Sequence, residues 1–66
     1  MEITLNGEKR RFSESLTVAQ LLKGLDLDPK TVLVELNLQV VPRDEMEKTP
    51  IRDGDSLEII GIFGGG

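Results

Sequence analysis

The sequence predicts an α+β fold in which one main helix closes one face of a small mixed sheet. Three observations predict it. An Asn6-Gly7 pair separates two extended runs, a Thr17 capping box opens a leucine stripe, and the final apolar run from Ser56 carries aliphatic residues on both of its faces. The reading gives the element order β, β, α, β, short β, β. One helix covers only one sheet face, so the opposite face is expected to be partly exposed.

The first hairpin is the clearest local signal. Met1 to Leu5 alternate apolar and polar, and Glu8 to Phe12 resume the extended pattern after Asn6-Gly7. Asn-Gly suits a type I′ turn because both central residues need positive φ. A two-residue loop then pairs Leu5 with Glu8, Ile3 with Arg10, Glu2 with Arg11 and Met1 with Phe12. Glu2 and Arg11 share the solvent side. Arg10 falls on the face of Ile3, which places the second strand at an edge where the long side chain can reach water.

In Thr17-Val18-Ala19-Gln20 the Thr17 hydroxyl can accept from the Gln20 amide while the Gln20 side chain reaches back to the Thr17 N–H. Leu16 and Leu21 occupy the staple positions around that box. Val18, Leu21, Leu22 and Leu25 follow at the spacing of one buried helical face, Gly24 is placed at the start of the C-terminal cap, and Pro29 forbids much continuation.

Val32 to Leu36 reads as a strand with Val32, Val34 and Leu36 inward. Asn37-Leu38-Gln39 connects it to a short strand at Val40-Val41, which Pro42 ends at an edge. The charged stretch Arg43 to Lys48 reads as an irregular turn pinned by Met46, and Asp53-Gly54-Asp55 as a tight turn. Ser56 to Phe63 is the last strand, with Leu57 and Ile59 on one face, Ile60 and Ile62 on the other, and a central place in the sheet. Residues 1–63 are thus expected to form one domain, and 64–66 a glycine tail.

Composition excludes several classes of function. A chain of 66 residues affords one small core and no deep substrate cavity. It has no cysteine and no histidine, which removes disulfides, thiolate metal sites, cysteine nucleophiles and the commonest neutral-pH acid or base. It therefore reads as a non-enzyme with no intrinsic cofactor or metal. A net charge of −4 argues against nucleic acid as a partner, and two Phe with no Tyr or Trp offer almost no stacking surface. The first residues have neither a basic segment nor an apolar one of signal-peptide type, and no apolar run reaches membrane-spanning length. A cytoplasmic location is expected.

Gly64-Gly65-Gly66 follow directly on Phe63. A glycine carboxylate has no Cβ to hinder attack, and glycines before it adopt backbone conformations closed to other residues. Three extended residues reach at most about 10 Å, enough to place a carboxylate in another protein's active site. By composition alone a frayed end explains the glycines equally well.

The segment Asn37-Leu38-Gln39-Val40-Val41-Pro42-Arg43, followed by Thr49-Pro50-Ile51, Asp53-Gly54-Asp55, Leu57-Glu58-Ile59 and the final glycines, resembles the ubiquitin-like β-grasp sulfur carriers. Within them it is most similar to the thiamine-biosynthesis sulfur-carrier family, ThiS. The resemblance spans essentially the whole chain, with Met46 standing where many relatives have tryptophan. It implies a β-grasp fold and a Gly66 carboxylate that an ATP-using, ThiF-like partner adenylates. A sulfur-donating protein then supplies sulfur, and the resulting thiocarboxylate donates it to a ThiG-like thiazole synthase. The molybdopterin-synthase small subunit shares the tail and fold; a noncovalent ubiquitin-like interaction module and a protein modifier are the other readings.

If the sheet face beneath them is uncovered, Ile60, Ile62 and Phe63 form an exposed apolar patch beside the tail. They are the candidate partner-binding patch. Lys9-Arg10-Arg11 reads as a solvated guard on an edge strand, and Asp53 with Asp55 as turn chemistry rather than acid/base catalysis.

Overall fold

A computed structural model describes residues 1–62. The main sheet contains β1 (Glu2–Leu5), β2 (Glu8–Arg11), β4 (Val32–Leu36), β5 (Gln39–Val40) and β7 (Ser56–Gly61), in the spatial order β2-β1-β7-β4-β5. β7 is central, as its two apolar faces require. It runs parallel to β1 and antiparallel to β4. A second ladder joins β3 (Leu16–Thr17) to β6 (Pro50–Ile51), and the helix α1 spans Val18–Gly24.

The hairpin register is the expected one, from Leu5 opposite Glu8 to Glu2 opposite Arg11. Asn6 and Gly7 have φ of 48° and 84°. One step beyond the strands, the Phe12 N–H donates to the Met1 carbonyl and the Met1 ammonium to the Phe12 carbonyl, both at 2.9 Å. β2 is an edge strand with every residue exposed, Arg10 included.

The helix begins with the reciprocal capping box. The Thr17 N–H donates to Gln20 Oε1 at 2.9 Å, and the Gln20 N–H to Thr17 Oγ1 at 3.2 Å. The next two orphan donors are satisfied by the charged loop, since the Val18 N–H reaches the Thr49 carbonyl and the Ala19 N–H the Met46 carbonyl, each at 3.0 Å. The stretch thus caps the helix through its backbone while its charged side chains stay exposed to solvent, and it starts with a 3₁₀ turn at Arg43–Glu45. Met46 is buried beneath it, filling the role the sequence assigns to it.

The helix C-terminus differs from expectation. Gly24 is the last helical residue, and the left-handed position falls on Asp26, with φ of 60°. The Leu27 N–H donates to the Leu22 carbonyl at 2.9 Å and the Asp26 N–H to the Lys23 carbonyl at 3.1 Å, which is a Schellman closure. Aspartate tolerates left-handed backbone better than most residues. Placing the reversal there keeps Leu25 and Leu27 against the core.

Asn37 and Leu38 form a second two-residue turn, with φ of 51° and 71°. β5 is accordingly Gln39–Val40, one residue earlier than the Val40-Val41 pattern predicts. Val41 still donates to the Val34 carbonyl at 2.9 Å and is buried. The short β3/β6 ladder has no counterpart in the sequence reading, because two-residue strands carry no periodicity. The last strand stops at Gly61 rather than continuing to Phe63, which lies outside the described residues.

Ile3 and Leu5 from β1, Val34 from β4 and Leu57 from β7 face Val18, Leu21 and Leu22 of α1, all of them buried. Val41, Met46 and Ile51 close the far side. Full burial contributes about 1.5 to 3 kcal/mol for each large aliphatic side chain. Among the described residues the buried set runs from Ile3 to Leu57.

Candidate functional site

Alternation along the strands places Leu33 and Glu35 of β4 on the face away from the helix, with Glu58 and Ile60 of β7 and Val40 of β5. The register sets Leu33 opposite Ile60, and Glu35 opposite both Glu58 and Val40. Val40, Ile60 and Ile62 are 54%, 45% and 53% exposed. Two of the three predicted patch residues, Ile60 and Ile62, therefore present apolar surface at the end of β7; Phe63 is outside the described residues. Leu33 and Val40 extend that apolar surface across two further strands, and pattern reading missed them. The signal for Leu33 was the outward half of the β4 alternation; Val40 needed the β5 register.

The end of β7 is held on both sides. Asn6 Oδ1 accepts from the Ile59 N–H at 2.7 Å, Asn6 Nδ2 donates to the Ile59 carbonyl at 3.3 Å, and the Ile62 N–H donates to the Thr31 carbonyl at 3.0 Å. Thr31 closes the 3₁₀ turn Pro29–Thr31, which Asp28 caps through the Lys30 N–H at 2.9 Å. The chain thus reaches residue 62 along an anchored track. Gly64, Gly65 and Gly66 lie outside the described residues.

The remaining charged motifs have structural partners. Glu2 pairs with Lys9 at 3.8 Å and with Arg11 at 3.5 Å, on the surface. Asp53 Oδ1 accepts from the Glu2 N–H and Asp55 Oδ2 from the Arg52 N–H, both at 2.7 Å, while Asp55 Oδ1 accepts from Asn37 Nδ2 at 3.0 Å. Both aspartates hold the turn around Gly54, whose φ is 88°. Among the described residues no polar or charged side chain is buried, and no group of acidic side chains is arranged to hold a metal. No helix among them is long and apolar enough to cross a membrane.

Residues 3–66 match the ThiS family, so the match runs from the first strand through the final glycine. The chain belongs to the ThiS family. A crystal structure of the thiamine biosynthesis protein ThiS from Geobacter metallireducens superposes with a TM-score of 0.87 at 38% identity, covering 100% of both chains. The fold is the ubiquitin-like β-grasp. Sulfur carrier protein ThiS of Thermus thermophilus is 34% identical over 64 residues, covering 97% of this chain and 98% of that protein. Thiazole synthase of Paramagnetospirillum magneticum is 46% identical over 66 residues. This ThiS-family chain is matched over its full length there but spans only 20% of that relative.

Proposed function

We propose that this chain is a sulfur carrier of thiamine biosynthesis that works through the carboxylate of Gly66. The observation that carries the reading is the family match, which extends through Gly66 on a chain that contains no cysteine. With no thiol elsewhere, sulfur has one place to ride. A free carboxylate is a poor electrophile. Attack of a Gly66 carboxylate oxygen on the α-phosphorus of ATP, in a ThiF-like adenylating partner, expels pyrophosphate and creates an acyl-adenylate. A hydrosulfide-level sulfur from a sulfur-donating protein then displaces AMP, leaving a thiocarboxylate.

The acceptor of that sulfur is a ThiG-like thiazole synthase. Support comes from the Paramagnetospirillum relative, in which a region similar to this entire chain forms 20% of a protein called thiazole synthase. In this reading the exposed Ile60 and Ile62, with Phe63, dock the enzymes while Gly64 and Gly65 thread their active-site entrances. The carrier supplies a handle and the enzymes supply the catalysis.

Intact mass tests the reading. Incubation with the adenylating enzyme, ATP and a sulfur source is expected to replace one oxygen of the chain by sulfur. Appending one alanine after Gly66 is expected to preserve docking and abolish the change, because the carboxylate moves by about 3.5 Å and leaves its near-attack position. An unchanged mass in the parent protein would favour a noncovalent ubiquitin-like module.

A further inference from the structure

We propose that Glu35 and Glu58 together receive a basic side chain, arginine by its geometry, presented by the thiazole synthase that docks on the uncovered sheet face. The inference rests on the proposed carrier role and names the chemistry of that partner's surface.

Glu35 and Glu58 are direct partners in the antiparallel ladder between β4 and β7. Side chains in that relation stand with their Cβ atoms about 5 Å apart, and like charges so placed destabilise a sheet. Nothing on their own strands offsets the repulsion, since β4, β5 and β7 contain neither lysine nor arginine. The cations of β2 belong to another pair of strands, where Lys9 and Arg11 face Glu2. Among the described residues neither glutamate takes part in an ion pair or a side-chain hydrogen bond.

The carboxylates also sit within the apolar surface. Leu33 and Ile60 form the adjacent outward pair, and Val40 stands across from Glu35. A partner that covers Val40 and Ile60 must take both carboxylates out of water. Burying two unpaired carboxylates of like charge is prohibitive, so a partner that uses this apolar surface has to bring a cation. A guanidinium fits best, because its planar fork can bond to two carboxylates at once.

The synthase is the occupant for two reasons. A protein of that name includes a region matching this whole chain, which keeps such a face close to a synthase surface. Glu58 also lies only four residues before Ile62, within about 13 Å of the point where the chain leaves the sheet. An enzyme that takes up the glycine end therefore covers this part of the face as well.

The test titrates the protein and Glu35→Gln/Glu58→Gln against the purified thiazole synthase and, separately, the adenylating enzyme of the same organism, at low and at high salt, with thermal unfolding of both carrier proteins in parallel. The parent is expected to bind more weakly as salt rises. The double variant is expected to bind about 10- to 100-fold more weakly at low salt, with a flattened salt dependence, while melting at the same or a higher temperature. That combination separates a recognition role from a structural one. Equal affinity and an equal salt slope in the two proteins would overturn the inference and leave the carrier role standing. A loss seen only against the adenylating enzyme would overturn the choice of occupant. Failure of the parent itself to bind the synthase would overturn both the inference and the reading on which it rests.

Discussion

The side-chain amide of Asn6 pairs with the backbone of Ile59 as a neighbouring strand would, accepting its N–H at 2.7 Å and donating to its carbonyl at 3.3 Å. Asn6 also supplies the first positive φ of the β1–β2 turn. One residue thus reverses the chain and extends the β1–β7 ladder past the last paired residues, Leu5 and Leu57. It fixes Ile59 immediately before the exposed Ile60, so the turn positions the candidate docking face.

Asn6→Ala is expected to lower stability by about 1 to 2 kcal/mol, because it removes both hydrogen bonds and a residue suited to left-handed backbone. Asn6→Asp is expected to lose less, since one carboxylate oxygen can still accept the Ile59 N–H. Urea unfolding of the two variants beside the parent measures the difference. A loss in Asp equal to that in Ala would show that the acceptor bond contributes nothing.

Leu38→Gly is expected to stabilise the fold by about 0.5 to 1 kcal/mol. Leu38 has φ of 71° and a side chain 90% exposed. Left-handed backbone costs a residue with a Cβ roughly 1 to 2 kcal/mol, and glycine's extra chain entropy offsets only part of that relief. The midpoint of denaturant unfolding should rise. A fall would mean that the exposed leucine contributes packing at the hairpin tip.

Leu21→Asp is expected to abolish cooperative unfolding. Leu21 is 1% exposed at the centre of the helical stripe. An unpaired carboxylate there costs several kcal/mol against a total stability of about 5. Circular dichroism melting provides the measurement, and a parent-like transition would contradict the packing of α1 on the sheet.

Deleting Gly65 and Gly66 is expected to leave the melting temperature nearly unchanged and to abolish adenylation. Glycine has no side chain to bury, and a terminal segment of two such residues contributes little to a core. Calorimetry and ATP–pyrophosphate exchange with the adenylating enzyme read the two halves separately. A large drop in melting temperature would show that these glycines stabilise the fold.

Local rules were sufficient wherever partners lie close in sequence. The register of the first hairpin followed from Asn6-Gly7, the capping box from Thr17 and Gln20, and the buried face of α1 from the spacing of Val18, Leu21 and Leu22. The central position of β7 was legible from its aliphatic residues on both faces. The exposure of Ile60 and Ile62 followed from having one helix for two sheet faces. Residue-by-residue resemblance, rather than periodicity, pointed to the family.

Tertiary structure decided what depends on distant segments meeting. The Arg43–Thr49 stretch caps the helix because the Met46 and Thr49 carbonyls reach the amides of Ala19 and Val18, bonds that no local pattern encodes. The left-handed residue after α1 is Asp26 rather than Gly24, since keeping Leu25 and Leu27 on the core outweighs glycine's intrinsic preference. The β3–β6 ladder is too short to leave a periodic trace. Glu35 and Glu58, 23 positions apart in the sequence, become neighbours only through the register of β4 on β7. Alternation alone sends each of them to the surface; the long-range strand pairing sets the two charges side by side.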